Sequence, residues 1–257
     1  MIKCKDLCYN NCNVYYVIIR IYRIAYFSLI LNGEHMNTIK QPDNANSQIW
    51  IQRIINDKDG LKKKLLEEHI GKGSLLWLSP LENESFKEYQ LKDELIAKEF
   101  GFTENTFSAW WPRTGNQAVW DAIGKSSDNA IILIEAKAHL KETISPCHAG
   151  KKSYKLILDS FIALHEKLSS TTSSFNEDLW MKKYYQTANR LLFWHNIRKV
   201  CSVKLVFLNF VNVERSETSA QEWDDYNNII IDALLGRSVK SLSDEIMYIN
   251  FDVQKFI

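Results

Sequence analysis

The sequence predicts an α/β fold, a central mixed β-sheet flanked by helices, with an N-terminal helical extension. Three observations carry that expectation. Ala130 to Ala138 is apolar on both faces, the signature of a central strand covered from two sides. Val203 to Val211 is a second buried-type run, and Ile246 to Phe251 reads as a final strand. Between them lie helical patterns at about Lys152 to Leu168, Glu177 to Lys199 and Gln221 to Leu235, the last closed by Gly236.

In chain order, residues 1–35 form an uncertain extension, 36–84 a helical cap and 85–257 the main domain. Val14 to Leu31 is apolar but interrupted by Arg20 and Arg23, each of which costs about 2.5 to 3.5 kcal/mol at the centre of a membrane span. A spanning helix and a signal peptide are therefore disfavoured, and no stable membrane association is expected. Gly33-Glu34-His35 before Met36 suggests a translated ribosome-binding site, with Met36 as the start. In the cap, Ile49, Ile51, Ile54 and Ile55 mark a short helix, and Leu61 to Ile70 another, stopped by Gly71. Leu75 to Leu78 is either a strand or a packed loop. Ser85 to Glu99 reads as a stronger helix with Gly101 as its stop, followed by a weak strand at Phe107 to Trp111 and a better one at Gln117 to Ile123.

Composition narrows function only a little. The 257 residues are 46% hydrophobic and 25% charged, with a formal net charge of +1, so nothing resembles the global basic field of a charge-driven nucleic-acid binder. Any such contact must come from a local patch. Five cysteines, with Cys4, Cys8 and Cys12 spaced by four, contain no C-x-x-C pair and indicate neither a zinc ribbon nor a disulfide framework. A reducing, cytoplasmic setting is the simplest expectation.

The chemistry concentrates at Glu135-Ala136-Lys137, at the end of the strongest strand candidate, fourteen residues after Asp121. Glu135 and Lys137 share a face by the strand period of two. It is the one acid-x-Lys triplet in the sequence. Two carboxylates and an amine suit a hard divalent ion such as magnesium, which takes one or two carboxylates and completes its shell with water and phosphate. Placed inside a doubly covered strand, such charges need a partner or an ion. The bland alternative is a solvated ion pair at a strand terminus.

Asp121 in Trp120-Asp121, together with Ile132-Leu133-Ile134-Glu135-Ala136-Lys137-Ala138, resembles the PD-(D/E)xK, or restriction-endonuclease-like, nuclease superfamily. The likeness spans roughly Phe86 to Val211 and points to an uncharacterised branch; the proline usual before the Asp is Trp120 here. It implies a restriction-endonuclease-like core in which Asp121, Glu135 and the Ala136 carbonyl hold magnesium, or manganese, for hydrolysis of nucleic acid, with DNA favoured over RNA. Lys137 is then expected to stabilise charge electrostatically, since two carboxylates beside it oppose its deprotonation. Supporting roles fall to Glu94 on the preceding helix, to Gln117 and to Gln186. A phosphate track with interleaved aromatics is expected from Lys151, Lys152, Tyr154, Lys182 and Arg190. His139, His148 and His165 share no ligand spacing. The alternatives are a nucleic-acid-binding module with a degenerate site or a membrane-associated structural protein.

Overall fold

The computed structural model describes residues 46–256 apart from residue 215, so the readings on Cys4, Cys8, Cys12, Val14 to Leu31 and the start at Met36 lie outside the described residues. The described residues fall in one compact unit. It is an α/β fold with a five-stranded mixed sheet flanked by helices.

Two helices lead in: α1 (Ser47–Ile55), whose first turn is capped by the Asn46 side chain accepting from Gln48 N–H, and α2 (Leu61–Ile70). Gly71, at φ 69°, ends α2 in the left-handed conformation that glycine adopts without a Cβ clash. Next, β1 (Leu76–Ser79) joins the main sheet as its edge strand, antiparallel to β4 (Ala122–Lys125). The expected boundary at 84/85 is therefore corrected, because the segment before it supplies a strand of the central sheet and two helices of its core.

The helix expected over Ser85 to Glu99 is shorter. Ser85 and Phe86 both have φ 56°, which breaks a right-handed helix, and Tyr89–Gln90 forms a short strand, β2. The Asp93 carboxylate accepts from Gln90 N–H, and α3 runs only over Glu94–Phe100. The weak strand expected at Phe107 to Trp111 does not form: Phe107 ends a short helix, α4 (Glu104–Phe107), which has a Thr103–Thr106 capping box, and turns follow it to Trp111. The strand expected over Gln117 to Ile123 is split. Val119–Trp120 form β3, paired with β2, whereas β4 begins at Ala122, and Asp121 occupies the bend between them.

The rest of the sheet follows the apolar runs. β5 (Ile131–Lys137) pairs antiparallel with β4 and parallel with β6 (Val203–Val211), and β6 pairs parallel with β7 (Ile246–Asp252), giving the order β1-β4-β5-β6-β7. Between β5 and β6 come α5 (Lys151–Leu168), a π-helical turn at Asp178–Lys183 and α6 (Tyr185–Ile197). The expected single helix over Glu177 to Lys199 is interrupted at Tyr184, which bridges to Ser145 instead of continuing the helix. α7 (Ala220–Leu235) starts with a Ser219–Glu222 capping box and ends at Gly236. Even-numbered β5 residues Ile132, Ile134 and Ala136 pack in one core with Ile51, Ile54 and Leu66 of α1 and α2. Odd-numbered Ile131, Leu133, Glu135 and Lys137 therefore face the opposite layer.

Candidate active site

The bend at Asp121 makes the site. Ile131 N–H donates to Ser202 C=O, so odd-numbered residues of β5 turn their backbone toward β6 and even-numbered ones toward β4. The β4 ladder stops at Ala122 opposite Ile134, where the chain leaves to pair with β2. Ala136, two residues beyond Ile134, thus faces a gap in the ladder. The Asp121 carboxylate fills it: Ala136 N–H donates to Oδ2 at 2.6 Å. Asp121 Oδ1 carries no hydrogen bond among the described residues.

Glu135 lies on the neighbouring position, 2% exposed. Its Oε1 accepts from the Lys137 ammonium, and its Oε2 accepts from Arg190 Nε at 2.5 Å. Arg190 is held from every side. Its Nη2 donates to Val119 C=O at 2.8 Å, its Nη1 to Asn189 Oδ1 at 3.3 Å, and its guanidinium lies 4.6 Å from the centre of the Trp120 ring. It is 4% exposed, which corrects its expected place in a surface phosphate track. A buried guanidinium needs a buried acceptor, and Glu135 supplies one.

These contacts divide the protons. Burial, and then the nearby Glu135 charge, push the Asp121 carboxyl up to about 7. Burial opposes ionisation of Glu135 too, but Arg190 and Lys137 overcome it and hold that carboxyl below its ordinary value. Burial likewise works against a charged Lys137, yet Glu135 and Asp121 raise its pKa overall, so the amine stays protonated. Beside them, Glu142 accepts from Ala138 N–H at 3.0 Å and pairs with His139 at 3.1 Å.

Of the supporting residues, Gln186 is at the site. With Glu135, Lys137, Asn209, Asn227 and Tyr248 it lines a small, partly open cavity of about 20 Å³, large enough for about one water molecule. Two polar atoms there, Asn227 Nδ2 and Tyr248 Oη, are buried without a hydrogen-bond partner among the described residues. Glu94 is not at the site. It opens α3 on an exposed face beside Lys98 and Tyr89, because the chain before it is extended rather than helical. That extended stretch brings in Glu88 instead. Its carboxyl is raised by burial and senses Glu135, Arg190 and Lys137, while its Oε1 accepts from Gln48 at 2.8 Å. Gln117 is also elsewhere: the bend at Asp121 ends the strand alternation, and its Oε1 accepts from Lys92 N–H at 3.1 Å in a pocket floored by Phe102 and Trp111.

Lys151 and Lys152 are exposed in the first turn of α5. The Tyr154 hydroxyl donates to Glu177 at 2.7 Å, and exposed Lys182 pairs with Asp178 at 2.6 Å, so the latter's charge is locally compensated.

The chain matches no family model, no curated protein and no solved structure.

Among the described residues, no three His, Cys, Asp or Glu side chains converge into a closed metal cage. The Asp121 carboxylate in the bend and the Glu135 carboxylate on β5 are oxygen donors of the kind a hard divalent ion takes, the rest of its shell coming from backbone carbonyl, water and phosphate. Ala136 turns its backbone N–H toward Asp121.

Sequence reasoning missed the pairing of Arg190, expected on a phosphate track, with Glu135, and it missed Glu88 altogether. Arg190 had a readable signal: a lone cation inside the apolar run Ala188 to Trp194 requires a buried acid. Glu88 had none, since its position depends on the left-handed backbone at Ser85 and Phe86.

Proposed function

We propose that this protein is a metal-dependent nuclease hydrolysing phosphodiester bonds, with DNA ahead of RNA as substrate, on a restriction-endonuclease-like core. The observation that supports this reading is the meeting of Asp121, Glu135 and Lys137 at one end of β5, where the β4 ladder breaks off. In it, Asp121, Glu135 and the Ala136 carbonyl would hold magnesium or manganese. A bound ion of this kind polarises a phosphate and makes coordinated water more acidic.

The chain's own groups divide the remaining work. Lys137, kept protonated by its carboxylate neighbours, offers positive charge to a phosphate oxygen as negative charge builds up there. Arg190 fixes the Glu135 carboxylate and ties it to Val119, two residues before Asp121, so the spacing of the two acids is set by one guanidinium. Gln186 lines the cavity beside Glu135 and Lys137.

A cleavage screen across linear, circular and single-stranded DNA and RNA, with magnesium, manganese or chelator, tests the reading. Metal-dependent cleavage that disappears in both Asp121→Ala and Lys137→Ala, with the fold intact by circular dichroism, supports it. Unchanged cleavage in both variants refutes it.

One observation favours a second reading, a nucleic-acid-binding module with a degenerate site. Both Glu135 oxygens already receive cations, and Asp121 takes up a proton near neutrality. Retained nucleic-acid affinity without any metal binding would select it. For the membrane-associated alternative, no helix among the described residues is long and apolar enough to span a bilayer.

A further inference from the structure

Glu135 is saturated by cations of unequal mobility. Lys137 ends in an unbranched chain whose side chain is 14% exposed, and it can swing away from Oε1. Arg190 cannot follow. Its guanidinium is fixed by Glu135, Val119 C=O, Asn189 and the Trp120 ring, and leaving would strand a buried charge. A divalent ion reaching Glu135 therefore comes up against a permanent positive charge one carboxylate away. Glu88 offsets this only in part, being held aside by Gln48, and Glu142 is engaged by His139.

From this we infer that Arg190 acts as a built-in counter-cation that makes divalent-ion binding depend on a polyanionic strand, so that metal and nucleic acid enter the site cooperatively. The inference rests on the metal-dependent reading above. Phosphate oxygens bring the negative charge that the protein's own groups leave short, and they supply ligands that two carboxylates and one carbonyl do not. Arg190 is in this sense a positioning residue for Glu135 that also sets the order of assembly. Coupling of this kind is reciprocal: whatever factor nucleic acid adds to metal affinity, metal adds to nucleic-acid affinity.

The test is calorimetric titration of the full chain with Ca²⁺, used in place of Mg²⁺ to limit cleavage. It is run alone and then in the presence of a short DNA duplex or a short RNA strand. The wild type is expected to bind Ca²⁺ at least about tenfold more tightly with the better oligonucleotide than without it. Oligonucleotide affinity should rise by the same factor when Ca²⁺ is added. Arg190→Met should bind Ca²⁺ more tightly on its own and lose most of the coupling, whereas Arg190→Lys, which keeps the charge, should retain it. Equal Ca²⁺ affinity with and without oligonucleotide overturns the inference while leaving a metal site in place. Absence of Ca²⁺ binding in every arm, with no cleavage under Mg²⁺, overturns the metal-dependent reading and the inference together. If Arg190→Met does not fold, Arg190→Gln, which keeps a donor for Glu135 without the charge, takes its place with the same expectation, and undiminished coupling in the folded neutral variant overturns the inference.

Discussion

The two faces of the central sheet use the same strands differently. Toward α1 and α2, β5 presents Ile132, Ile134 and Ala136 to a layer of hydrocarbon that includes Ile51, Ile54, Leu66, Leu208 and Phe251. Toward α5, α6 and α7 the same strand presents Ile131 and Leu133 and then Glu135 and Lys137. In register beyond Lys137 lie Asn209 of β6 and Asn250 of β7. Those asparagines form a chain, Asn209 Nδ2 donating to Asn250 Oδ1 at 3.0 Å and Asn250 Nδ2 to Asp224 Oδ1 at 2.8 Å. One face stabilises through packing that any residue of the right volume can supply. The other places charge at the C-terminal ends of parallel strands, where α/β sheets commonly bind ligands, and each charge depends on a particular partner.

The largest effect is expected from breaking the polar face. Glu135→Ala leaves Arg190 buried and unpaired and should cost about 3 to 5 kcal/mol in denaturant unfolding. Cleavage should disappear as well. Adding Arg190→Met should recover part of that stability without restoring cleavage, since an apolar replacement of a buried pair is often tolerated. On the hydrocarbon face, Ile134→Ala should cost about 2 to 5 kcal/mol through the lost packing. Calcium affinity in the presence of oligonucleotide should be unchanged wherever that variant is folded. Loss of ion binding there would show that the faces are not independent.

A smaller, pH-dependent effect sharpens the comparison. The folded-state pKa of Asp121 is raised to about 7 from 3.8. Its protonated form is favoured by folding, so this contribution to stability is full below about pH 4 and is lost as pH rises through about 7. Asp121→Asn should flatten unfolding midpoints across that window, and midpoints identical to wild type at every pH would contradict the assignment. In the nuclease reading, a proton and the ion compete for Asp121, so the metal concentration needed for half-maximal cleavage should rise as pH falls below about 7. The smallest effect belongs to Lys182→Ala: with its head in solvent and paired to Asp178, its loss should leave the unfolding midpoint unchanged in a thermal melt.

The apolar face was the more legible one in the sequence. Runs such as Ala130 to Ala138 and Val203 to Val211 declare buried strands because period and composition agree, and Gly71 and Gly236 mark helix ends by a local rule. Elements decided by backbone exceptions were not legible. Nothing in the residues of Ser85-Phe86 announces two successive left-handed conformations, so the periodicity predicts a helix over Ser85 to Glu99 that is too long and points to Glu94 rather than Glu88 as the acid near the site. The bend at Asp121 is similar. Alternation through Gln117 to Ile123 looks continuous, yet the chain changes partners from β5 to β2 there, which removes Gln117 and gives Asp121 its hydrogen bond to Ala136. Asp121, Glu135 and Lys137 could be nominated from spacing because strand alternation governs two of them. Arg190 belongs to them through a contact spanning 55 residues: the apolar run around it shows that it needs a buried acid, but not that the acid is Glu135.

The most direct measurement is anomalous scattering from crystals grown with Mn²⁺ and a short oligonucleotide. The account predicts one Mn²⁺ peak about 2 Å from carboxylate oxygens of both Asp121 and Glu135, with the Ala136 carbonyl in the same shell. Crystals containing Mn²⁺ and ordered nucleic acid but no peak between those two side chains would contradict it.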